Sequence, residues 1–137
     1  MYRIIQKMIF FWKAQTAHGL HSPLVYDLYN KVINPSLWKF DHTLFIHNLN
    51  TYLSTKSELN GYNILIINTL EELNCFKNKS SQIVLILDPY RDSNFYNKVQ
   101  RIEKNESFNF IIHFFEGSIY IPSKLAPKQI FYLKHMQ

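Results

Sequence analysis

Cysteine and clustered charge are both scarce in this chain of 137 residues. The single cysteine, Cys75, excludes an internal disulfide framework and suits a reducing compartment, so we expect a cytoplasmic protein. The net charge of +5 comes from basic residues scattered between Arg3 and Lys134, without the run that is typical of nucleic-acid-binding proteins. The apolar run at residues 8–12 is too short for a signal-peptide core or a membrane span.

Glycine is almost as rare, with only Gly19, Gly61 and Gly117. Because glycine lets the backbone approach a bound nucleotide closely, its absence between Gly61 and Gly117 argues against a phosphate or dinucleotide loop in that stretch. The sequence also contains no recognisable Ser-His-Asp arrangement and no zinc-protease motif.

Apolar residues, by contrast, are abundant: 47% of the chain is hydrophobic and 16% is aromatic, which is enough for one domain over residues 1–137. We predict a helical part at residues 1–55 and a sheet at residues 61–137. The aromatic excess is too large for one small core, so we expect some of these side chains to be exposed and to mark a protein interface, such as a homodimer through the N-terminal helices. The aromatic residues concerned are Tyr26, Tyr29, Phe45, Tyr52, Phe108, Phe110, Phe114, Phe115, Tyr120, Phe131 and Tyr132.

The chain is organised around residues 83–87, five consecutive apolar residues that stop at Asp88 and Pro89. This pattern predicts a strand buried on both faces, with Asp88 at the carboxyl edge, where ligands usually bind in open α/β sheets. Residues 62–68 predict a parallel neighbour. The capping box Thr69–Glu72 begins a short helix between the two strands, reaching about residue 78, and Ser93 is expected to cap a later helix.

The N-terminal part reads as three helices. Residues 2–17 predict an amphipathic helix whose stripe we expect to face the core or a partner, with a membrane surface as the less favoured alternative. The stripe consists of Ile4, Ile5, Met8, Phe11 and Trp12. Gly19 is placed to end this helix. Ser22 and Pro23 are placed to begin a second helix, which Asn34 and Pro35 are expected to end. Asp41 is placed to cap a third helix.

The C-terminal part predicts a long strand at residues 108–115, a turn at Glu116 and Gly117, a hairpin partner at 119–121 and a last short strand at 130–133. The predicted fold class is therefore α/β: an N-terminal helical hairpin plus a third helix, then a small, mainly parallel, Rossmann-like sheet with a C-terminal antiparallel hairpin.

Two segments resemble one known family. Residues 18–29, HGLHSPLVYDLY, resemble the HGIHSPFVFDLY-type opening of a group of bacterial class I S-adenosylmethionine (SAM)-dependent methyltransferases. Residues 85–91, LILDPYR, resemble their IFDDIYW segment at the end of a central strand, and GSIYI and KQIF in the tail resemble GLVFF and KQHF segments.

The resemblance implies a shortened, degenerate relative. Members of that family are longer and carry a glycine-rich cofactor turn after the first strand, whereas residue 68 is followed here by Thr69, Leu70, Glu71 and Glu72. Of the family's acidic pair, only Asp88 is matched. The implied protein has lost SAM binding and catalysis, needs no cofactor, and acts, if at all, through protein contacts.

Two alternatives stay open. One is an active methyltransferase with an unconventional or dimer-completed SAM site, and the other is a basic module that binds anions or nucleic acid. Asp88 and Tyr90 are the weak candidates for a cofactor site, and the favoured interpretation of Asp88 is a carboxylate that caps the turn at Pro89 and Tyr90. Arg91 and Asp92 could pair with Asp88 or face a ligand.

The histidine motif is interpreted as structural rather than metal-binding. A zinc site needs four ligands, and His18 and His21 have no cysteine partner nearby. We predict no metal site and no catalytic residue. The motif residues His18, Gly19, His21, Ser22 and Pro23 are expected to fix the joint between the first two helices.

Overall fold

Helices form the first part of the chain and a five-stranded sheet the second. The computed structural model describes residues 1–14, 22–37, 40–56, 61–77, 82–105, 107–122 and 127–134. In chain order the elements are α1 (Tyr2–Lys13), α2 (Pro23–Leu28), a π-helical segment (Tyr29–Ile33), α3 (Asn34–Leu37), α4 (His42–Thr55), β1 (Asn63–Ile67), α5 (Leu70–Asn74), β2 (Gln82–Leu87), α6 (Ser93–Glu103), β3 (Phe110–His113), β4 (Gly117–Ile121) and β5 (Gln129–Tyr132).

The sheet is mixed, with the strand order β1-β2-β4-β3-β5. The pairs β1–β2 and β3–β5 are parallel, and β4 lies antiparallel between β2 and β3. The α/β class, the parallel pair around α5 and the C-terminal antiparallel hairpin are thus confirmed. The strand predicted from residues 83–87 lies inside the sheet, between β1 and β4.

Alternate residues of β2 face opposite sides of the sheet, and helices cover both sides. Ile83 and Leu85 pack in a cluster with the side chains of α2, the π-helical segment and α4, whereas Val84 and Ile86 pack with those of α5 and α6. Burial on both faces explains why the strand is continuously apolar rather than alternating, as predicted.

The prediction that Asn34 and Pro35 end the second helix was wrong. The chain stays helical to Leu37 because the π-helical segment comes first, with the N–H of Asn34 bonded to the carbonyl of Tyr29. Pro35 then falls in the first turn of α3, where a missing N–H costs no intrahelical hydrogen bond.

Other boundaries also differ from prediction. Helix α1 ends at Lys13 rather than residue 17, because the backbone of Ala14 is extended. Helix α6 is capped by Asp92 rather than Ser93, since the Asp92 carboxylate accepts the N–H of Phe95 at 2.8 Å. Asp41 caps α4 as predicted.

The hairpin between β3 and β4 turns earlier than predicted. Phe115 has a φ of 65° and closes the turn, and Gly117 is already the first residue of β4. A Cβ at Gly117 would lie 2.6 Å from the Phe114 ring and 3.2 Å from the carbonyl oxygen of Ile86. Glycine is therefore needed for close packing between strands, not for the turn.

Most of the aromatic residues predicted to be partly exposed lie in the core. Tyr29, Phe45, Phe114 and Phe115 are among the largest fully buried side chains, and of the residues in that prediction Tyr26 is the exposed one, at 49%. The exposed apolar surface comes instead from α1. The helices α1 and α2 belong to different clusters, α2 to the main core and α1, through Phe10, to a small group with Tyr90 and Phe115.

Candidate functional site

The carboxyl edge of the parallel strands β1 and β2 is where the fold favours a ligand. The strands run in register, with Ile67 beside Ile86, so the chain leaves the sheet at Asn68 and at Asp88 on neighbouring strands. The backbone carbonyls at these ends and the N–H groups that start α5 are the polar groups a ligand would meet.

The guanidinium of Arg91 occupies the carbonyl side of this edge. Its Nη1 donates to the carbonyl of Asn68 at 2.5 Å, its Nη2 to that of Leu87 at 2.6 Å and its Nε to that of Asp88 at 3.0 Å. The same group lies 3.9 Å from the centre of the Phe95 ring. One side chain therefore joins the ends of both parallel strands to the start of α6.

The N–H side of the edge is satisfied by Glu72. Its Oε1 accepts the backbone N–H of Asn68 at 3.2 Å and that of Thr69 at 3.1 Å, while the Thr69 hydroxyl accepts the N–H of Glu72. This is the capping box predicted from the sequence. Three N–H donors at this edge are thus already bound within the chain, two by the Glu72 carboxylate and one by the Thr69 hydroxyl.

Asp88 does not cap the following turn, and that prediction was wrong. Its backbone has a φ of 48°, and its own carbonyl accepts the N–H of Arg91 that closes the turn. The carboxylate instead forms an ion pair with Arg3 of α1 at 2.9 Å. Asp92 does not pair with it either, because Asp92 caps α6.

Tyr90 is enclosed by aromatic rings and is 2% exposed. It stacks on Phe115 with ring centres 5.0 Å apart and on Tyr96 at 4.8 Å, and Phe10 of α1 covers it edge-on at 5.8 Å. Burial raises the pKa of the Tyr90 hydroxyl far above its usual value, so the group stays neutral. Tyr90 is therefore closed to a ligand because it is buried, and Asp88 is partly exposed with its carboxylate paired to Arg3 of α1.

The histidine motif is only partly described. His18, Gly19 and His21 lie outside the described residues. Ser22 and Pro23 begin α2 as predicted, with the Ser22 hydroxyl accepting the N–H of Val25 at 3.4 Å. Among the described residues, no group of three or more histidine, cysteine or acidic side chains is arranged to hold a metal ion.

No family model, curated protein or solved structure matches this chain significantly. The relationship to methyltransferases therefore stays a prediction that rests on the sequence motifs alone. Within the part of the chain that the structure describes, no helix is both long and apolar enough to cross a bilayer.

A buried polar cluster was not predicted. His113 of β3 lies with its Nδ1 2.6 Å from the hydroxyl of Ser118 in β4, and its Nε2 3.6 Å from a carboxylate oxygen of Glu103 in α6. Histidine between a serine and an acid suggests a nucleophile, but Ser118 is 0% exposed and lies inside a strand pair. No substrate can reach its hydroxyl, so we interpret the cluster as structural. The sequence feature that could have predicted this cluster is the polar residue His113 within an otherwise apolar run.

The cluster should make stability depend on acid. His113, together with nearby Lys128, holds the pKa of Glu103 below its ordinary value of 4.5, so folding favours the charged carboxylate. We expect Glu103→Gln to lower the free energy of unfolding by about 1 kcal/mol near neutral pH. The difference from the unmodified protein should shrink as the pH falls below about 4.5, because both proteins then lack the charge.

Urea unfolding across a pH series measures this difference. Glu71→Gln is the matched control, since Glu71 is exposed. A constant gap between Glu103→Gln and the unmodified protein down to low pH would contradict the assignment.

Proposed function

We propose that this protein is a methyltransferase-like scaffold that neither binds SAM nor catalyses methyl transfer, and that it works through binding at its surface. The observation that supports this is the closed carboxyl edge. Arg91 holds the carbonyls at the ends of β1 and β2, and Glu72 holds the N–H groups of Asn68 and Thr69 just before α5.

The residues at this edge do not fit SAM. A bound cofactor would have to displace Arg91 from three carbonyls and Glu72 from two N–H groups, and would leave those groups to be satisfied again. It would also have to move α1, since Arg3 holds Asp88 and Phe10 covers Tyr90. The position after β1 that would need glycine carries Thr69.

The alternative of an active enzyme with a dimer-completed site requires the same rearrangement, so the geometry favours it less. The alternative of a basic module that binds anions or nucleic acid has little support from the described charges. Lys31 and Lys56 both pair with Asp27, and Arg3 pairs with Asp88. A nucleic-acid-binding protein would show affinity that falls steeply with salt.

The test is calorimetric titration of the folded protein with SAM and with its demethylated product, S-adenosylhomocysteine. We expect no heat of binding even at millimolar ligand. Micromolar affinity for either compound would contradict the proposal and restore the enzyme alternative. Circular dichroism of the same sample, with the α/β signature and a cooperative thermal transition, excludes misfolding as the reason for a negative result.

A cytoplasmic location and a protein partner remain part of the proposal. The single Cys75 is consistent with a reducing compartment. The surface available to a partner or to a second copy is the exposed part of α1, because most of the other aromatic side chains are buried.

A further inference from the structure

Helix α1 carries its apolar face on the outside. Met8 is 70% exposed and Trp12 is 93% exposed, and the face covers about 160° of the helix circumference at ~100° per residue. Its residues are Ile4, Ile5, Met8, Ile9, Phe11 and Trp12. The apolar stripe was predicted to face the core or a partner; it does not face the core, and the partner alternative stays a prediction.

The helix docks through its other side. Phe10, 1% exposed, is the large apolar residue of α1 that enters the domain, and Ala14 packs beside it. Around Phe10, Arg3 pairs with Asp88 and lies over Phe115, and Lys13 lies 4.1 Å from the centre of the Tyr132 ring. Docking therefore fixes the orientation of α1 with its apolar face toward solvent.

The charges of α1 are of one sign. Arg3, Lys7 and Lys13 are basic, and the first acidic residue of the chain is Asp27. Lys7 and Lys13 lie at the two borders of the apolar face, whereas Arg3 lies on the docking side and pairs with Asp88. A helix with one strongly apolar face that includes tryptophan and is bordered by lysines has the composition of helices that lie in the interface of an anionic bilayer.

We propose that α1 is a membrane-surface helix, whose apolar face inserts into the headgroup and acyl boundary of an anionic lipid bilayer. The basic side chains at its borders then lie near the lipid headgroups, and the α/β domain sits above the surface. Trp12, the most exposed residue of the face, is of the type that favours this boundary.

A second copy of the chain is a poorer occupant of this face. Two α1 helices packed face to face would bring two sets of Lys7 and Lys13 together without any acidic residue on either helix. An anionic bilayer, in contrast, complements these charges. The inference goes beyond the proposed function, because it assigns the exposed part of α1, which that proposal leaves to a partner or a second copy, to a lipid surface. It uses no group of the β1–β2 edge apart from the ion pair that orients α1.

The experiment is co-sedimentation with vesicles of phosphatidylcholine, with and without phosphatidylglycerol. We expect binding to the anionic vesicles that is on the order of tenfold tighter than to neutral ones, as two basic side chains near the surface predict, and that weakens with salt. Trp12 fluorescence, measured in a Trp38→Phe background, should shift to shorter wavelength on binding.

Variants distinguish vesicle binding by the apolar face of α1 from non-specific binding by other exposed apolar residues. The double variant Met8→Ser with Trp12→Ser should lose most of the vesicle binding and keep the fold. Tyr26→Ser and Ile130→Ser remove exposed apolar residues elsewhere, at 49% and 42% exposure, and should leave binding unchanged.

Three outcomes would overturn the inference. The first is a folded protein that ignores anionic vesicles at low salt, and the second is equal binding to neutral and anionic vesicles. The third is a dimer in sedimentation velocity that the double variant converts to a monomer, which would assign the face to a second copy instead.

Discussion

Replacing Arg91 by alanine is expected to lower the free energy of unfolding by about 2–3 kcal/mol, more than most surface substitutions cost. The guanidinium donates to the carbonyls of Asn68, Leu87 and Asp88, which belong to the ends of two neighbouring strands. Removing it leaves these acceptors to water and also removes the contact with Phe95. Denaturation in urea, followed by far-UV circular dichroism, measures the loss.

Arg91→Lys distinguishes the contribution of the three guanidinium hydrogen bonds from that of the positive charge alone. A lysine ammonium cannot span the ends of both strands as the planar guanidinium does, so the conservative variant should recover less than half of the loss. Arg101→Ala, at an exposed position of α6, is the control and should change stability by no more than about 0.5 kcal/mol. Equal, small effects of Arg91→Ala and Arg101→Ala would show that Arg91 does not hold the edge together.

The sequence predicted the elements that depend on local chemistry. The buried strand β2 follows from residues 83–87, and the capping box at Thr69 and the cap at Asp41 form as expected. The end of α2 could not be predicted, because a π-helical segment is a tertiary adjustment with no local signature. Gly117 was wrongly assigned to the turn. The reason for a glycine there is its close contact with Phe114, which depends on three-dimensional packing and is not visible in the sequence.

The position of the candidate site was predicted, but the interactions of its side chains were not. Asp88 does stand at the carboxyl edge, yet its carboxylate pairs with Arg3, which is 85 residues away along the chain. Arg91 was expected either to pair with Asp88 or to face a ligand. Its side chain bonds to the backbone carbonyls of Leu87 and Asp88, a contact that the sequence does not reveal. The direction of α1 was also hidden, because helical periodicity identifies an apolar face but not whether the face or its opposite side docks.

Phe10→Ala is expected to detach α1 from the domain, because docking of the helix loses about 3–5 kcal/mol. The Phe10 ring is 1% exposed and touches Tyr90, Phe115 and Tyr132, with ring centres 5.6–5.9 Å apart. Alanine leaves a cavity among these rings. The ion pair between Arg3 and Asp88, which is exposed, is too weak to hold the helix alone.

Hydrogen exchange separates detachment of the helix from global unfolding. Amides of α1 should lose protection in Phe10→Ala while those of β2 keep theirs. Strand β2 lies inside the sheet, and none of its residues belongs to the cluster around Phe10. Trp12→Ala, on the opposite side of the same helix and 93% exposed, should leave both sets of amides protected. Only Phe10→Ala should therefore reduce the protection of α1, because Phe10 docks the helix whereas Trp12 lies free on its outer face. Full protection of α1 in Phe10→Ala would contradict this, since some other contact would then have to hold the apolar face outward.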